Sequence, residues 1–490
     1  MRRLVFLAAL VATPAFAQPA AKVDPAFAKS GIADWTKPPV QTKEPKFTPP
    51  TVKRLKLKNG MALLVATNNA LPIVSMSLVV PAAGAANDPA GKGGVAAYAA
   101  DLLDEGAAGM SALGIAEELD RLGASFGAGV AYDSAEVSMS TLSKTLDPSL
   151  DLFTKIVTSP TFDDKEAERV KGDRATSLEL RRDRPREVAQ IMLSAALYGA
   201  GTAYGHPSSG TREEFKAITV ADAKQFYAER WNPATMTLVV AGDVDANALK
   251  TKLDAGLGAW KPTGVKAASK LAVTPAKPGA RLLFADRPAA QQSDVRIGLV
   301  GLGRKDPRYY KFEVFRTVLG DGFTSRLTQR LREQLGITYG IGAFQDWRVA
   351  TGPFVIGSAI VTAETAKGLT EVMKIVDDLA ATDVPAAELD KAKQNLIRAL
   401  PGMFETNSAT VDAYTNLVLH GLPDTWYATY ADNIRKVKAA DVKAVAKAVV
   451  PSKKLVVSVV GDMSKIKADL DKLGLGEAAP HDLYGTPAKK

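Results

Sequence analysis

The spacing of apolar residues predicts strands and helices alternating along most of the chain. Ile73 to Val80 is an almost unbroken apolar run, which favours a buried strand. Asn59-Gly60 lies between two apolar segments and predicts a hairpin turn within Val52 to Leu64. Asp245 precedes the helical pattern of Ala246 to Leu257, at the position where a carboxylate caps a helix. These patterns predict an α+β fold in which an antiparallel sheet is covered by helices.

The second half of the chain repeats the first. Gly242 follows an apolar strand pattern and recurs as Gly461, an offset of 219 residues, and the segment 218–222 recurs at 437–441 with the same offset. A repeat of this length indicates duplicated domains. We therefore predict two homologous halves, at residues 51–260 and 283–490. A linker rich in Lys, Pro, Ala and Gly joins them at residues 261–282.

The N-terminal segment has the pattern of a secretory signal peptide. A basic start at Arg2 and Arg3 precedes a short apolar run, and Ala15-Phe-Ala17 resembles a cleavage site. We predict a signal peptide at residues 1–17, a Pro- and Ala-rich extended leader at 18–50, and export to a bacterial periplasm.

Composition narrows the possible chemistry. Removal of residues 1–17 lowers the net charge from +9 to +7, and the remaining basic residues are scattered among acids, which disfavours nucleic acid as a partner. The absence of cysteine excludes disulfides, thiolate metal sites and cysteine nucleophiles. The three histidines, His206, His420 and His481, have no helical spacing that would build a zinc site. Asp101 and Glu105 share a helix face, although acids in this pattern also form ordinary solvated surfaces.

One stretch suggests a functional pair. Leucines recur every four residues over Ser325 to Leu335, which predicts an amphipathic helix ended by Gly336. Alternation over 337–341 then predicts a strand. This corner can direct Arg332 and Tyr339 into one space, where they would polarise a peptide carbonyl. Alternatively, Arg332 complements the helix dipole and Tyr339 packs in a core.

The mature chain resembles the pitrilysin/insulinase family of zinc metallopeptidases, in its bacterial branch related to the mitochondrial processing peptidase. The resemblance is carried by several stretches spread over both halves. These are Leu57–Met61, Gly94–Gly106, Tyr204–Thr211, Asn232-Pro233, Ala241–Asp243, Asp286–Gly298, Leu331–Tyr339 and Gly421–Asp424.

The zinc motif of that family is degraded in this sequence. Family peptidases carry His-x-x-Glu-His on the helix after a Gly-rich loop, and a distant glutamate completes the site. The resemblance places the two histidines at Ala97 and Asp101, the catalytic base at Ala100, and the distant glutamate near Ser177, two residues before Glu179. We therefore expect no zinc or other cofactor in this chain, and no peptidase activity from it alone.

The second feature of the family persists in this chain as Arg332 and Tyr339, which in the family contact substrate from the half opposite the zinc. Some family members pair a zinc-bearing subunit with one that lacks zinc. The resemblance thus implies the non-zinc subunit of a heterodimeric periplasmic peptidase, whose partner supplies His-x-x-Glu-His and zinc and whose substrates are peptides. The alternative is a non-catalytic scaffold for peptide binding or assembly.

Overall fold

The computed structural model describes residues 47–261 and 279–488. The predicted signal peptide, most of the leader and the central part of the linker lie outside the described residues. From Thr48 onward the chain forms one unit that contains both halves of the repeat.

Two six-stranded sheets and one two-stranded ribbon are formed by fourteen strands of the described residues. In chain order these are β1 Lys53–Lys56, β2 Ala62–Thr67, β3 Ile73–Val80, β4 Gly106–Ala107, β5 Met110–Ser111, β6 Ser125–Val130, β7 Ala135–Leu142, β8 Thr237–Gly242, β9 Leu282–Asp286, β10 Gln292–Val300, β11 Thr338–Gln345, β12 Pro353–Val361, β13 Val456–Gly461 and β14 Ala479–His481.

The α-helices connect and cover these strands. They are α1 Val95–Asp101, α2 Ala112–Leu122, α3 Leu146–Thr158, α4 Asp164–Glu179, α5 Pro185–Tyr198, α6 Arg212–Ala217, α7 Val220–Arg230, α8 Ala246–Ala255, α9 Tyr309–Gly320, α10 Thr365–Ala381, α11 Ala386–Ala399, α12 Asn407–Leu419, α13 Trp426–Arg435, α14 Ala439–Val449 and α15 Met463–Asp471. A π-helix spans Thr328–Gln334.

The two large sheets share one strand order, which confirms the predicted α+β fold of two homologous halves. The first sheet runs β1-β2-β8-β3-β7-β6 and the second runs β11-β12-β10-β13-β9-β14, so that β2-β8-β3-β7-β6 corresponds to β9-β13-β10-β12-β11. Most neighbours are antiparallel, as expected. The pairs β2–β8, β9–β13 and β9–β14 are parallel.

Equivalent positions have equivalent structural roles in the two halves. Gly242 and Gly461 end the matched strands β8 and β13. A Cβ atom on Gly242 would lie 2.2 Å from the carbonyl oxygen of Ile73, and one on Gly461 would lie 2.5 Å from Oγ of Ser293. A neighbouring strand therefore approaches too closely for any side chain at this point of either sheet.

The halves are joined by a reciprocal exchange of helices. Helix α5 of the first half packs on β10 and β13 of the second sheet, and α12 of the second half packs on β3 and β8 of the first sheet. Buried hydrogen bonds accompany the packing, since Ser458 Oγ donates to the Ala189 carbonyl at 2.7 Å and Asn407 Nδ2 donates to the Ile73 carbonyl at 2.9 Å. Each half therefore needs the other to cover one face of its sheet.

A buried arginine reinforces this seam. Arg348 follows β11 in the second half, is 3% exposed, and places its guanidinium carbon 3.7 Å from the ring centre of Tyr132 and 4.6 Å from that of Tyr204 in the first half. Asp346 forms its ion pair at 2.8 Å. Next to it, the Val349 amide donates to Asp133 at 2.9 Å. Cation–π contact and ion pairing thus stabilise a buried charge between the halves.

Several local predictions are confirmed and one is wrong. Strands β1 and β2 form the predicted antiparallel hairpin, and the Asp245 side chain accepts hydrogen bonds from the first turn of α8. The helix that was predicted to carry both Asp101 and Glu105 on one face ends at Asp101. The reason is that Leu102 and Leu103 are both fully buried, and the chain turns to form the β4–β5 ribbon.

Within the described residues, none of the helices combines the length and the apolar composition needed to cross a bilayer.

The exchange of helices predicts that the halves unfold together. Leu193 on α5 is fully buried, and its Cδ2 lies 3.0 Å from the Cβ position of Gly298 on β10. Leu193→Ala should lower the free energy of unfolding by about 2–5 kcal/mol because it leaves a cavity. Leu113→Ala, at a position 68% exposed, should change it by less than about 0.5 kcal/mol. Urea unfolding followed by hydrogen exchange should show both sheets destabilised by Leu193→Ala. Loss of protection in only one sheet would contradict the coupling.

Candidate functional site

Helix α1, which carries the degraded motif, begins at a tightly built turn. Asp88 accepts hydrogen bonds from the amides of Gly94 at 2.7 Å and Ala96 at 2.9 Å, and so caps the helix with a carboxylate. Gly94 has φ +97°, and a Cβ atom there would lie 2.6 Å from the carbonyl oxygen of Ser209. Two of the stretches that carry the family resemblance are thus in direct contact.

The motif positions lie beside an open cleft of about 510 Å³ between α1 and α4. Ala100, Asp101 and Ser177 line this cleft, so the structure brings together three of the four positions predicted from the sequence. Ala97, one turn earlier on α1, is buried and is not part of the lining. The alanines offer no lone pair to a metal, and a serine hydroxyl stands where the acidic ligand is expected.

Two arginines form ion pairs with acids of this cleft. Arg174 on α4 forms an ion pair with Asp101 inside the cleft. Arg169, one and a half turns earlier, pairs with Glu105 and also reaches Glu166 at 2.9 Å and Asp173 at 3.3 Å. Asp101, Glu105 and Asp173 in the cleft therefore have cationic partners already, and a metal ion would be repelled by two guanidinium groups.

The nearby glutamate, Glu179, does not complete a metal site either. Its carboxylate accepts hydrogen bonds from Arg212 at 3.1 Å and from the Tyr484 hydroxyl at 3.0 Å. The Arg212 hydrogen bond holds the pKa of Glu179 below its usual value. Across residues 47–261 and 279–488, the structure contains no cluster of three or more His, Asp or Glu side chains that could hold a metal ion. The residues present do not fit zinc.

The second set of predicted residues lies on the π-helix and β11. The sequence predicted an α-helix over Ser325 to Leu335, but the segment forms only a single α-helical turn before the π-helix Thr328–Gln334. The wider turn has one more residue than an α-helical turn, which four-residue leucine spacing cannot distinguish. The Leu335 amide accordingly donates to the Arg330 carbonyl, five residues earlier, at 3.1 Å.

Arg332 and Tyr339 do meet, as predicted. The guanidinium carbon of Arg332 lies 5.2 Å from the ring centre of Tyr339 and 4.9 Å from that of Phe323. Tyr339 is 85% exposed and Phe323 is 68% exposed. The alternative in which Tyr339 packs in a core is therefore wrong, while Arg332 on the last turn of the π-helix remains well placed to complement its dipole.

A bulge in β11 explains the exposure of Tyr339. The pairing of β11 with β12 shifts register between Thr338 and Ile341, and the Thr338 hydroxyl accepts a hydrogen bond from the Gly340 amide at 3.1 Å. A bulge bends the strand and redirects a side chain. The result is a half-buried guanidinium and an exposed phenol flanked by an exposed aromatic ring, which we call the Arg–Tyr pair (Arg332 and Tyr339, with Phe323 beside them).

Comparison with known proteins identifies the family. A model described as insulinase, peptidase family M16, matches residues 63–210, and one described as the peptidase M16 inactive domain matches residues 217–396. The chain belongs to the M16 peptidase family. The resemblance stated from the sequence is thereby confirmed.

Some relatives in this family are named as zinc proteases, and another is named as a non-peptidase. The non-peptidase homolog YmxG of Helicobacter pylori is 25% identical over 403 residues, which cover 82% of this chain and 91% of that one. An uncharacterized zinc protease of Mycobacterium leprae is 26% identical over 347 residues, covering 70% and 77%. The solved structure of a peptidase M16 inactive domain from Pseudomonas fluorescens superimposes with a TM-score of 0.78 at 26% identity, covering 84% of this chain and 98% of that one.

Three residues of these sites were not found from the sequence. Arg169 and Arg174 lie on α4, and sequence spacing does not show that they face Glu105 and Asp101. Phe323 follows Gly322 in a loop, and its exposure could not be read from the apolar pattern. The sequence feature that could have indicated these ion pairs is the high density of arginines and acids in the segment that forms α4.

The position of Arg174 in the cleft leads to a prediction about zinc binding by a variant whose zinc motif is restored. A variant carrying Ala97→His, Ala100→Glu, Asp101→His and Ser177→Glu would still hold the Arg174 guanidinium beside the metal. Adding Arg174→Ala should therefore tighten zinc binding by at least about tenfold. Competition with a chromophoric chelator measures the zinc affinity of both variants.

The unmodified chain is the control for this experiment and should take up no zinc stoichiometrically. Sub-micromolar zinc binding by the unmodified chain would contradict the conclusion that the residues of the cleft do not fit zinc.

Proposed function

We propose that this chain is the non-zinc subunit of a heterodimeric zinc peptidase exported to the periplasm. The partner, a homologous chain with an intact His-x-x-Glu-His motif, supplies zinc and the general base. This chain contributes Arg332 and Tyr339 to the substrate side of the partner's site. The observation that carries the proposal is the contact of Arg332 with the exposed Tyr339 ring, in a chain whose degraded-motif cleft contains arginine–carboxylate ion pairs.

The exposure of the pair supports a role toward a molecule outside this chain. A tyrosine that only stabilised the fold would bury its ring, whereas Tyr339 leaves 85% of its surface accessible. The only acidic neighbour of Arg332 in the described residues is the adjacent Glu333, at 3.4 Å. Guanidinium and phenol donors are thus free to hydrogen-bond a carbonyl oxygen.

The chemistry of peptide hydrolysis gives these donors a use. When water attacks a peptide carbonyl, negative charge develops on its oxygen, and preorganised donors stabilise that charge more than they stabilise the ground state. Removal of one such donor typically costs about 3 kcal/mol in the barrier. Arg332 and Tyr339 would act in this way at the scissile bond, while attack by water depends on the partner.

The curated name of one relative agrees with a chain that is inactive alone, since the Helicobacter pylori protein is called a non-peptidase homolog. The amino-terminal pattern at residues 1–17 supports export. Peptides are the expected substrates because the donors of the pair suit a backbone carbonyl and require no particular side chain.

The proposal predicts a specific loss of activity in the assembled enzyme. Hydrolysis of quenched fluorescent peptides should require both chains and zinc, and Arg332→Ala should lower kcat/KM about 100-fold without preventing assembly. Arg330→Ala is the matched control, because Arg330 lies on the same π-helix but pairs with Glu371 at 2.9 Å. It should leave kcat/KM within about threefold, since exposed ion pairs contribute little.

Three outcomes separate the alternatives. Zinc-dependent hydrolysis by this chain alone would refute the split site. Equal activity of Arg332→Ala and the unmodified mixture would remove the Arg–Tyr pair from the mechanism. A mixture that binds peptides but never cleaves them would instead establish the scaffold function.

A further inference from the structure

A buried arginine outside the Arg–Tyr pair forms no ion pair with any acid of the described residues. Arg304, in the loop between β10 and α9, is 6% exposed. Its Nε and Nη1 atoms are buried and have no hydrogen-bond partner in the described residues. Burial of a guanidinium without an acidic partner is unfavourable in free energy. Either neighbouring groups should stabilise the charge, or an anion should bind beside it.

Aromatic rings provide part of the compensation. The guanidinium carbon of Arg304 lies 4.0 Å from the ring centre of Tyr309, 4.9 Å from that of Trp426 and 5.5 Å from that of Trp347. Such rings stabilise the charge through the faces of the guanidinium plane. They do not accept the N–H groups, which point along that plane.

Arg304 also lines a cavity of about 450 Å³ that is rich in unused donors. His420, at the end of α12, is 5% exposed and has no hydrogen-bond partner for Nδ1. Lys305 is exposed at the rim, with its ammonium 3.0 Å from the Cβ position of Gly421. Apolar side chains, including Val349 and Val418, form the rest of the wall.

The acids nearby do not neutralise these cations. Asp306 lines the same cavity, but its carboxylate is held by the Arg308 guanidinium at 2.7 and 2.9 Å and by the Arg308 amide at 2.8 Å. Glu313, buried on the adjoining α9, pairs with Arg316 at 3.2 Å. The remaining local charge is therefore positive.

The positive charge of the cavity affects the protonation of His420. Burial, followed by the charges of Arg304 and Lys305, lowers the pKa of His420 to about 4. The imidazole is consequently neutral at neutral pH, and an anion placed beside it would raise its pKa again. Tyr309 and Tyr427, the titratable groups packed nearby, have pKa values raised by burial and stay uncharged.

We propose that this cavity is a binding site for an oxoanionic group, held by Arg304 and Lys305. The ligand is a carboxylate, phosphate or sulfate group, offered either by an inorganic ion or by the free C-terminus of a peptide. Arg304 supplies planar donors, Lys305 a mobile charge at the rim, and His420 a further nitrogen. The inference does not depend on the proposed peptidase function.

The cavity lies next to a contact between the two halves of the chain. Its wall includes Val349, whose amide donates to Asp133 of the first half. The neighbouring Arg348 is the cation inserted among the first-half tyrosines. An anion bound in the cavity therefore lies beside the loop of Arg348 and Val349, which packs against the first half.

The chain's three histidines provide a direct test. Sulfate, whose charge is constant over the range, is added at fixed ionic strength against chloride, and the three imidazoles are titrated by NMR with labelled histidine. The pKa of His420 should rise by about one unit in sulfate. The pKa values of His206 and His481 should not change. An unchanged His420, or an equal shift of all three histidines, overturns the proposal.

Calorimetry at neutral pH distinguishes the sources of the anion. Sulfate, phosphate, a short peptide with a free C-terminus and the same peptide as its amide are titrated separately. Binding of the inorganic ions alone identifies a small-ion site, and binding of the acid peptide but not its amide identifies a C-terminus site. Failure of all four to bind at millimolar concentration refutes the inference.

Matched lysine variants keep the test independent of folding. Lys305→Ala removes an exposed charge at the rim and should weaken binding at least about fivefold. Lys391→Ala removes an equally exposed charge on α11 and should leave the affinity unchanged. Equal affinity of the Lys305→Ala protein and the unmodified protein would also overturn the proposal.

Discussion

The structure depends on one packing constraint: the central strands of each large sheet are buried on both faces, and its own half of the chain does not supply both covering layers. Strands β8 and β13 are buried at every position. Helices α5 and α12 satisfy the constraint by crossing between halves. Because burial of apolar surface is the main favourable term in folding, the exchange makes the duplicated chain a single cooperative structure. The two candidate sites are therefore held on one scaffold.

One buried arginine lies at this seam and a second lies close to it. Arg348 and Arg304 belong to neighbouring loops of the second half, and both are enclosed by aromatic rings. Arg348 has an acidic partner in Asp346, so its charge is balanced within the chain. Arg304 has no acidic partner among the described residues, and this difference separates a structural cation from one that can bind a ligand. At the degraded metal cleft the balance is the reverse, since Arg174 neutralises an acid that would otherwise attract a cation.

Sequence patterns predicted the fold class and the repeat because both rest on local signals. The recurrence of Gly242 as Gly461 reflects a close strand contact that no side chain can fill in either half. The exchange of helices was beyond prediction, because an amphipathic pattern shows that a helix has an apolar face but not which sheet that face covers. The exposure of Tyr339 was also hidden, since a β-bulge redirects a side chain without changing the alternation that predicts the strand. The Arg174–Asp101 pair was missed because it joins two helices far apart in the sequence.

The central claim is that the Arg–Tyr pair contacts a substrate bound at a partner's zinc site. Photocrosslinking tests it most directly, with benzoylphenylalanine incorporated at Tyr339 and, as a control, at Leu113 of the first half, which is also exposed. In the assembled complex with zinc and a slowly cleaved peptide, the label at position 339 should crosslink to peptide residues next to the scissile bond, and the label at position 113 should not. A crosslink that forms equally well without the partner, or the absence of any crosslink to peptide at position 339, would contradict the account.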